Sequence, residues 1–121
     1  MRIVSGGNRA STYGGRFTGM VELEMLSEAA DASQPDIALG HFNDGAVTNW
    51  HQHPGGQTLY VVSGTGRVGN DADGTVELAP GTLVVTPADE RHWHGAAPGG
   101  DAKILSFTWG ATSWEELPGG G

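Results

Sequence analysis

Glycine interrupts this chain at 21 of its 121 positions, far above the usual share of about 7%. How those interruptions are spaced constrains the fold more than any other feature. They are dispersed, with no three-residue collagen period. Between them stand short runs rich in Val, Thr, Ile and Tyr. Short β-rich runs separated by residues that tolerate tight turns describe an all-β domain.

The runs can be followed along the chain. Phe17 to Met25 alternates apolar and polar residues, the period of a half-buried strand. Ile37 to Phe42 leads into Asn43-Asp44-Gly45, read as a turn because these residues tolerate positive φ. Val47 to His53 ends at Pro54-Gly55-Gly56, and Gln57 to Val62 resumes a strand. Arg67-Val68 and Thr75 to Leu78 flank a hairpin loop over 70–74. Pro80-Gly81 turns the chain into Thr82 to Thr86, and Lys103 to Trp109 is the last clear strand. About eight short strands point to a sandwich or barrel. The polar insert over 27–35 has room for a helical turn, which Pro35 would stop. The first dozen residues and the tail Leu117 to Gly121 read as loosely ordered. One domain over 1–121, with a barrel core at about 15–110, is expected, and its length suffices for a stable core without staples.

Fourteen acidic residues against six Lys and Arg give a formal charge of −8. Neutralising phosphates needs clustered Lys and Arg, so nucleic acid and anionic membranes are poor partners. Cysteine is absent, which removes disulfides, thiolate nucleophiles and cysteine ligands. Any metal must then be held by nitrogen and oxygen. No apolar run approaches the ~20 residues of a membrane span, and Met1 to Gly7 lacks the apolar stretch of a secretory signal. A cytoplasmic protein acting on a small molecule is the expectation.

Four of the five histidines fall in two pairs, His51-Gln52-His53 and His92-Trp93-His94. Residues two apart on a strand share a face, so each pair aims two imidazoles one way. Taken alone, one pair fits a polar strand face as well as a metal site. Around the pairs, Gly45 lies six residues before His51, Gln57 four after His53, and Pro87 five before His92. Gly64 closes the first segment and Pro80-Gly81 opens the second.

This arrangement resembles the two motifs of the cupin family: a glycine, HxH, Glu and glycine, then a proline-glycine segment with a third His. The resemblance covers roughly residues 38–108. It implies a jelly-roll barrel, or double-stranded β-helix, holding one divalent metal ion through His51, His53, Gln57 and His92. Gln57 stands where most cupins carry Glu, which removes one negative charge. It is either an oxygen ligand or a bystander beside a three-His site. Such a donor set suits Mn, Fe, Co, Ni or Zn.

The stretch His51 to Leu59, the stretch Arg91 to Pro98 and Phe17-Thr18-Gly19 narrow the resemblance further. They are similar to the small cupins that include bacterial manganese-dependent hydroxynitrile lyases. That similarity implies manganese as the ion and His94 as the base in splitting a cyanohydrin into aldehyde and cyanide. His94 alternatively reads as a fourth ligand or a satisfied neighbour. The chain departs from those lyases at Ile104, where they usually carry another His. A cupin polyketide cyclase, a metal-dependent dioxygenase and a small-ligand-binding cupin without turnover are the other functions weighed. The family also implies a homodimer, with Leu105, Phe107 and Trp109 as candidate contacts.

With Gln57 inward, Leu59 and Val61 share its face. Ile104, Ser106 and Thr108 of the last strand would complete an apolar pocket with a few hydroxyls, fitted to a small aromatic or polyketide-like molecule. Trp50 and Trp93 are candidate walls, with core filling or subunit contact as the alternative. His41 reads as structural. Gly64 to Gly69 matches GxGxxG, but no helix follows, so a hairpin is expected. Asp71-Ala72-Asp73-Gly74 lacks the flanking helices of a calcium loop. Ser106 and Ser113 lie in no nucleophile elbow.

Overall fold

The computed structural model of the chain describes residues 1–11 and 16–120. The expected start of the barrel core, near residue 15, lies outside them, as does Gly121. The described residues form β1 (Ala10–Ser11), β2 (Phe17–Ser27), β3 (Asp36–Gln52), β4 (Gln57–Gly64) and β5 (Gly66–Asn70). Then come β6 (Gly74–Leu78), β7 (Leu83–Thr86), β8 (His92–Ala96), β9 (Ala102–Thr108) and β10 (Ser113–Pro118). The fold is all-β, and no helix occurs among the described residues. The strands pair antiparallel along the path β6-β5-β8-β3-β9-β4-β7, with β2 and β10 also on β3.

Strand β3 organises the barrel. Its first half pairs with β9 from Asp36 opposite Thr108 to Phe42 opposite Ala102. Its second half pairs with β8, Val47 opposite Gly95 and His51 opposite His92. On the other edge β2 runs beside Ile37 to Thr48, and β10 takes over at Asn49 to Gln52. One strand therefore serves two layers, β2-β3-β9-β4-β7 and β10-β3-β8-β5-β6, which curl around a common interior. A strand can switch sheets only where it bends. The bend lies at Asp44 and Gly45, with φ of 48° and 73°. The Asn43-Asp44-Gly45 segment, expected as a turn between two strands, is thus a corner inside one strand.

Two further expectations change. Residues 28–35 form bends and a turn rather than a helical turn. The Asp36 carboxylate accepts the Ala29 N–H at 2.7 Å, and the Gln34 side chain accepts that of Ala30 at 3.0 Å. These side-chain bonds compete with helical ones. Leu117 and Pro118, expected in a loose tail, belong instead to β10. Glu115 holds that strand to Arg91 through two bonds of 2.6 and 3.0 Å, and the Gly119 N–H donates to the Thr48 carbonyl at 3.1 Å.

The apolar core is Val21, Phe42, Ala46, Leu59, Ala96, Ala102 and Ile104. Burying each of its larger side chains contributes about 1.5–3 kcal/mol. These residues fill one end of the interior and leave the other end to the histidines. On the outer face His41 pairs with Glu24, Nε2 to Oε1 at 2.6 Å. The same carboxylate accepts the Gly7 N–H at 2.8 Å and faces Arg9 at 3.4 Å. His41 is therefore a buried structural histidine that helps anchor the otherwise exposed N-terminal arm.

Candidate metal centre

The register of β3 assembles the site. His51 faces His92 across one ladder and Trp114 across the other. His53 follows just past the strand end, so the two-residue period brings it to the same side as His51. Potential ligand atoms of His51, His53 and His92 lie within 4.8 Å of one another, and all three residues are buried. Gln57 joins them from β4, with Oε1 2.9 Å from His92 Nε2. The structure thus brings together the four side chains singled out by spacing.

Each imidazole is oriented by a group behind it. His51 Nδ1 donates to the Asn49 carbonyl at 2.8 Å and His92 Nδ1 to the Glu90 carbonyl at 2.9 Å. A carbonyl only accepts, so each Nδ1 carries the proton and each Nε2 presents a lone pair. His53 Nδ1 lies 2.9 Å from the Thr112 hydroxyl. Behind Gln57, its Nε2 donates to the Thr108 hydroxyl at 2.8 Å. Partners of this kind fix the ring orientation of metal-ligating histidines.

The electrostatics agree. Burial pushes the His51 pKa down to about 3, with His92 adding to the effect and the Asn49 bond opposing it. Burial likewise lowers His53 to about 4, and lowers His92 against the pull of Glu90. Four neighbouring imidazoles with no carboxylate among them are held neutral, the form that binds a metal. His53 Nε2 is buried without a hydrogen-bond partner, and the bare Nε2 of His92 faces an amide oxygen. Unsatisfied buried acceptors are costly, and a cation relieves both. The residues present fit a divalent ion bound by three nitrogens and one oxygen.

Alongside lies a cavity of about 180 Å³. Phe17, Leu23, Met25, Phe42, Ile104 and Trp114 supply apolar surface, while His94, Ser106, Thr108 and Thr112 bring polar groups. His94 has its ring 5.3 Å from that of His51 and edge-on to Phe42 at 5.7 Å. Its Nδ1 is buried without a partner, and burial holds its pKa well below the usual imidazole value.

Among the other expected pocket residues, Ile104, Ser106 and Thr108 line the cavity. Leu59 and Val61 face inward as well but are wholly buried, Leu59 within the apolar core. The structure places Trp50 outside, because neighbours on a strand point to opposite faces. Its ring lies beneath the Arg91 guanidinium at 3.8 Å. Trp93 points outward too, and is covered by Arg67 at 5.3 Å and by Gly119. Thr48, Thr112 and Trp114 were not singled out by sequence. Thr48 faces inward because the ladder shifts register between Val47 and His51. Thr112 and Trp114 arrive on the C-terminal segment, whose composition gives no strand signal.

A curled all-β barrel with a histidine cluster at one end defines the cupin class. The family model described as a Cupin domain matches residues 38–108, and the chain belongs to this family. It is 41% identical over 100 residues to an (R)-mandelonitrile lyase from Granulicella tundricola, covering 81% of this chain and 76% of the relative. A cupin-like protein from Thermotoga maritima superposes with a TM-score of 0.82 at 30% identity, covering 97% of this chain and 90% of the other. The polyketide cyclase RemF from Streptomyces resistomycificus gives 0.75 at 18% identity, covering 93% and 81%, a likeness of fold.

Proposed function

We propose that this chain is a metal-dependent lyase that splits an aromatic cyanohydrin into an aldehyde and hydrogen cyanide. The observation that carries the reading is His94, whose partnerless Nδ1 is buried beside a three-His cluster and an apolar cavity. Similarity to the mandelonitrile lyase supports it. A cavity near 150 Å³ holds one benzene ring, so about 180 Å³ takes the ring of such a substrate.

His51, His53, His92 and Gln57 would hold the ion, with manganese the choice favoured by resemblance. When bound, it supplies positive charge that polarises the substrate hydroxyl and stabilises developing negative charge. The chain does the rest. Phe42, Ile104 and Trp114 seat the aromatic ring and exclude water. The His94 imidazole takes the hydroxyl proton, and its depressed pKa keeps it in the accepting form. The carbonyl C=O forms as the C–CN bond breaks, and the electron pair leaves with cyanide. His94 returns the proton, giving HCN and the neutral enzyme. With Ile104 in place of the further histidine of similar lyases, both proton steps fall to His94.

The test is cyanide release from mandelonitrile by metal-loaded protein. His94→Ala should slow it by about 10²–10⁴-fold, the usual worth of a general base, with metal content unchanged. No release above background with Mn, Fe, Co, Ni or Zn loaded in turn would end the reading. We also propose a homodimer. Leu105 and Phe107 continue, through Leu39, Ile37 and Tyr60 opposite them, into an outer sheet face with exposed Leu83 and Val85. A monomer in size-exclusion chromatography with light scattering would refute it.

A further inference from the structure

Gln57 differs from the glutamate usual in cupins in one respect that matters here: its two ends are not alike. A carboxylate offers two equivalent oxygens, and either serves when turned inward. A glutamine offers one oxygen and one NH₂, and only the oxygen can bind a cation. Something must therefore decide which end faces the histidines.

The ladder between β4 and β9 sets Thr108 directly opposite Gln57. The Gln57 Nε2 donates to the Thr108 hydroxyl at 2.8 Å, and Oε1 then faces His92 Nε2 at 2.9 Å. His92 keeps its proton on Nδ1, which donates to the Glu90 carbonyl, so that Nε2 is bare. Two lone pairs confront each other in a buried place, an arrangement only a shared cation makes favourable. Turned end for end, the amide would donate an N–H to Nε2, satisfy His92 and close the ligand position. The amide is a two-way group, and the balance rests on what meets its outer end.

We propose that Thr108 is the positioning residue that holds Gln57 with its oxygen inward, and so makes it a metal ligand. The Thr108→Val substitution keeps the shape but not the hydroxyl. It would orphan a buried N–H in the oxygen-inward setting and a carbonyl in the reversed one. Buried N–H groups without partners are the rarer of the two, so the reversed, metal-blocking setting gains. The proposal rests on the metal reading of the cluster and is independent of the lyase reaction.

The experiment measures Mn(II) and Zn(II) affinity by chelator competition for the full chain and its variants, with urea unfolding to check that each folds. Loss of a group behind a ligand typically weakens binding about 10–100-fold. That loss is expected for Thr108→Val, with Thr108→Ser near the unsubstituted protein. In a Gln57→Glu background Thr108→Val should change little, because either carboxylate oxygen serves. Equal losses in both backgrounds, no loss with Gln57 present, or a Ser variant as weak as Val would overturn the proposal. An unsubstituted chain that takes up neither ion would instead overturn the metal reading, and this inference with it.

Discussion

Strand β3 carries histidines in two places, and they are satisfied in opposite ways. Near its start His41 meets the Glu24 carboxylate at 2.6 Å on the outer face, and Arg9 and the Gly7 N–H complete that carboxylate's surroundings. Near its end His51 and His53 stand inside with His92, His94 and Gln57, and no carboxylate is among them. The outer histidine has a carboxylate partner within the chain. The inner group is oriented by carbonyls and hydroxyls, which set direction without supplying charge, and its bare nitrogens converge. The fold withholds from the inner histidines the carboxylate that it gives the outer one.

The strongest way to break this contrast is to remove histidines from each region. His51→Ala with His92→Ala should abolish stoichiometric metal uptake in equilibrium dialysis, whereas His41→Ala should still take up one ion per chain. Loss of uptake in the His41 variant would show that the two regions are not independent. Next in size is thermal stability. A ligand that binds only the folded state at 100 times its dissociation constant adds ~2.7 kcal/mol. Calorimetry with and without metal should show that gain in the unsubstituted chain and the His41 variant, and none in the double variant.

A smaller effect concerns the uncharged partners. Thr112→Val should weaken metal binding about 10-fold, the lower end for such groups, while Thr112→Ser should retain it. The outer region answers to acid instead. The Gly7 N–H, then His41, holds the Glu24 carboxyl below its ordinary value of 4.5. A group with a depressed folded pKa stabilises above its unfolded value and loses that contribution as pH falls through the folded one. Urea unfolding should therefore show Glu24→Gln less stable than the parent near neutrality, with the gap closing below pH 4.5. A gap that widens in acid would refute this account of the clasp.

The inner cluster was legible because ligand chemistry limits the residue types and the two-residue strand period fixes their facing. Ile104, Ser106 and Thr108 were legible for the same reason. Trp50 was not, since proximity to His51 in sequence suggested a shared wall where alternation puts it outside. Asn43-Asp44-Gly45 carries turn chemistry, yet that chemistry serves a corner within β3; the ladders on either side decide the matter and no local window contains them. Strand β10 was missed because Ser113 to Pro118 lacks β-branched residues. Its place is fixed by partners distant in sequence, Arg91, Asn49 and Thr48. Thr48 was hidden by the irregular register before His51, which breaks the alternation that sequence reasoning must assume.

Two of the three imidazole anchors, at Asn49 and Glu90, are main-chain carbonyls. No point substitution deletes a peptide oxygen, so the direction in which the His51 and His92 rings point is set by the backbone trace itself. The cavity wall enjoys no such protection, since side chains such as Ser106 and Thr112 carry its polar groups. A scaffold built this way ties the aim of two rings to the main chain and leaves the polar groups of the cavity to side chains.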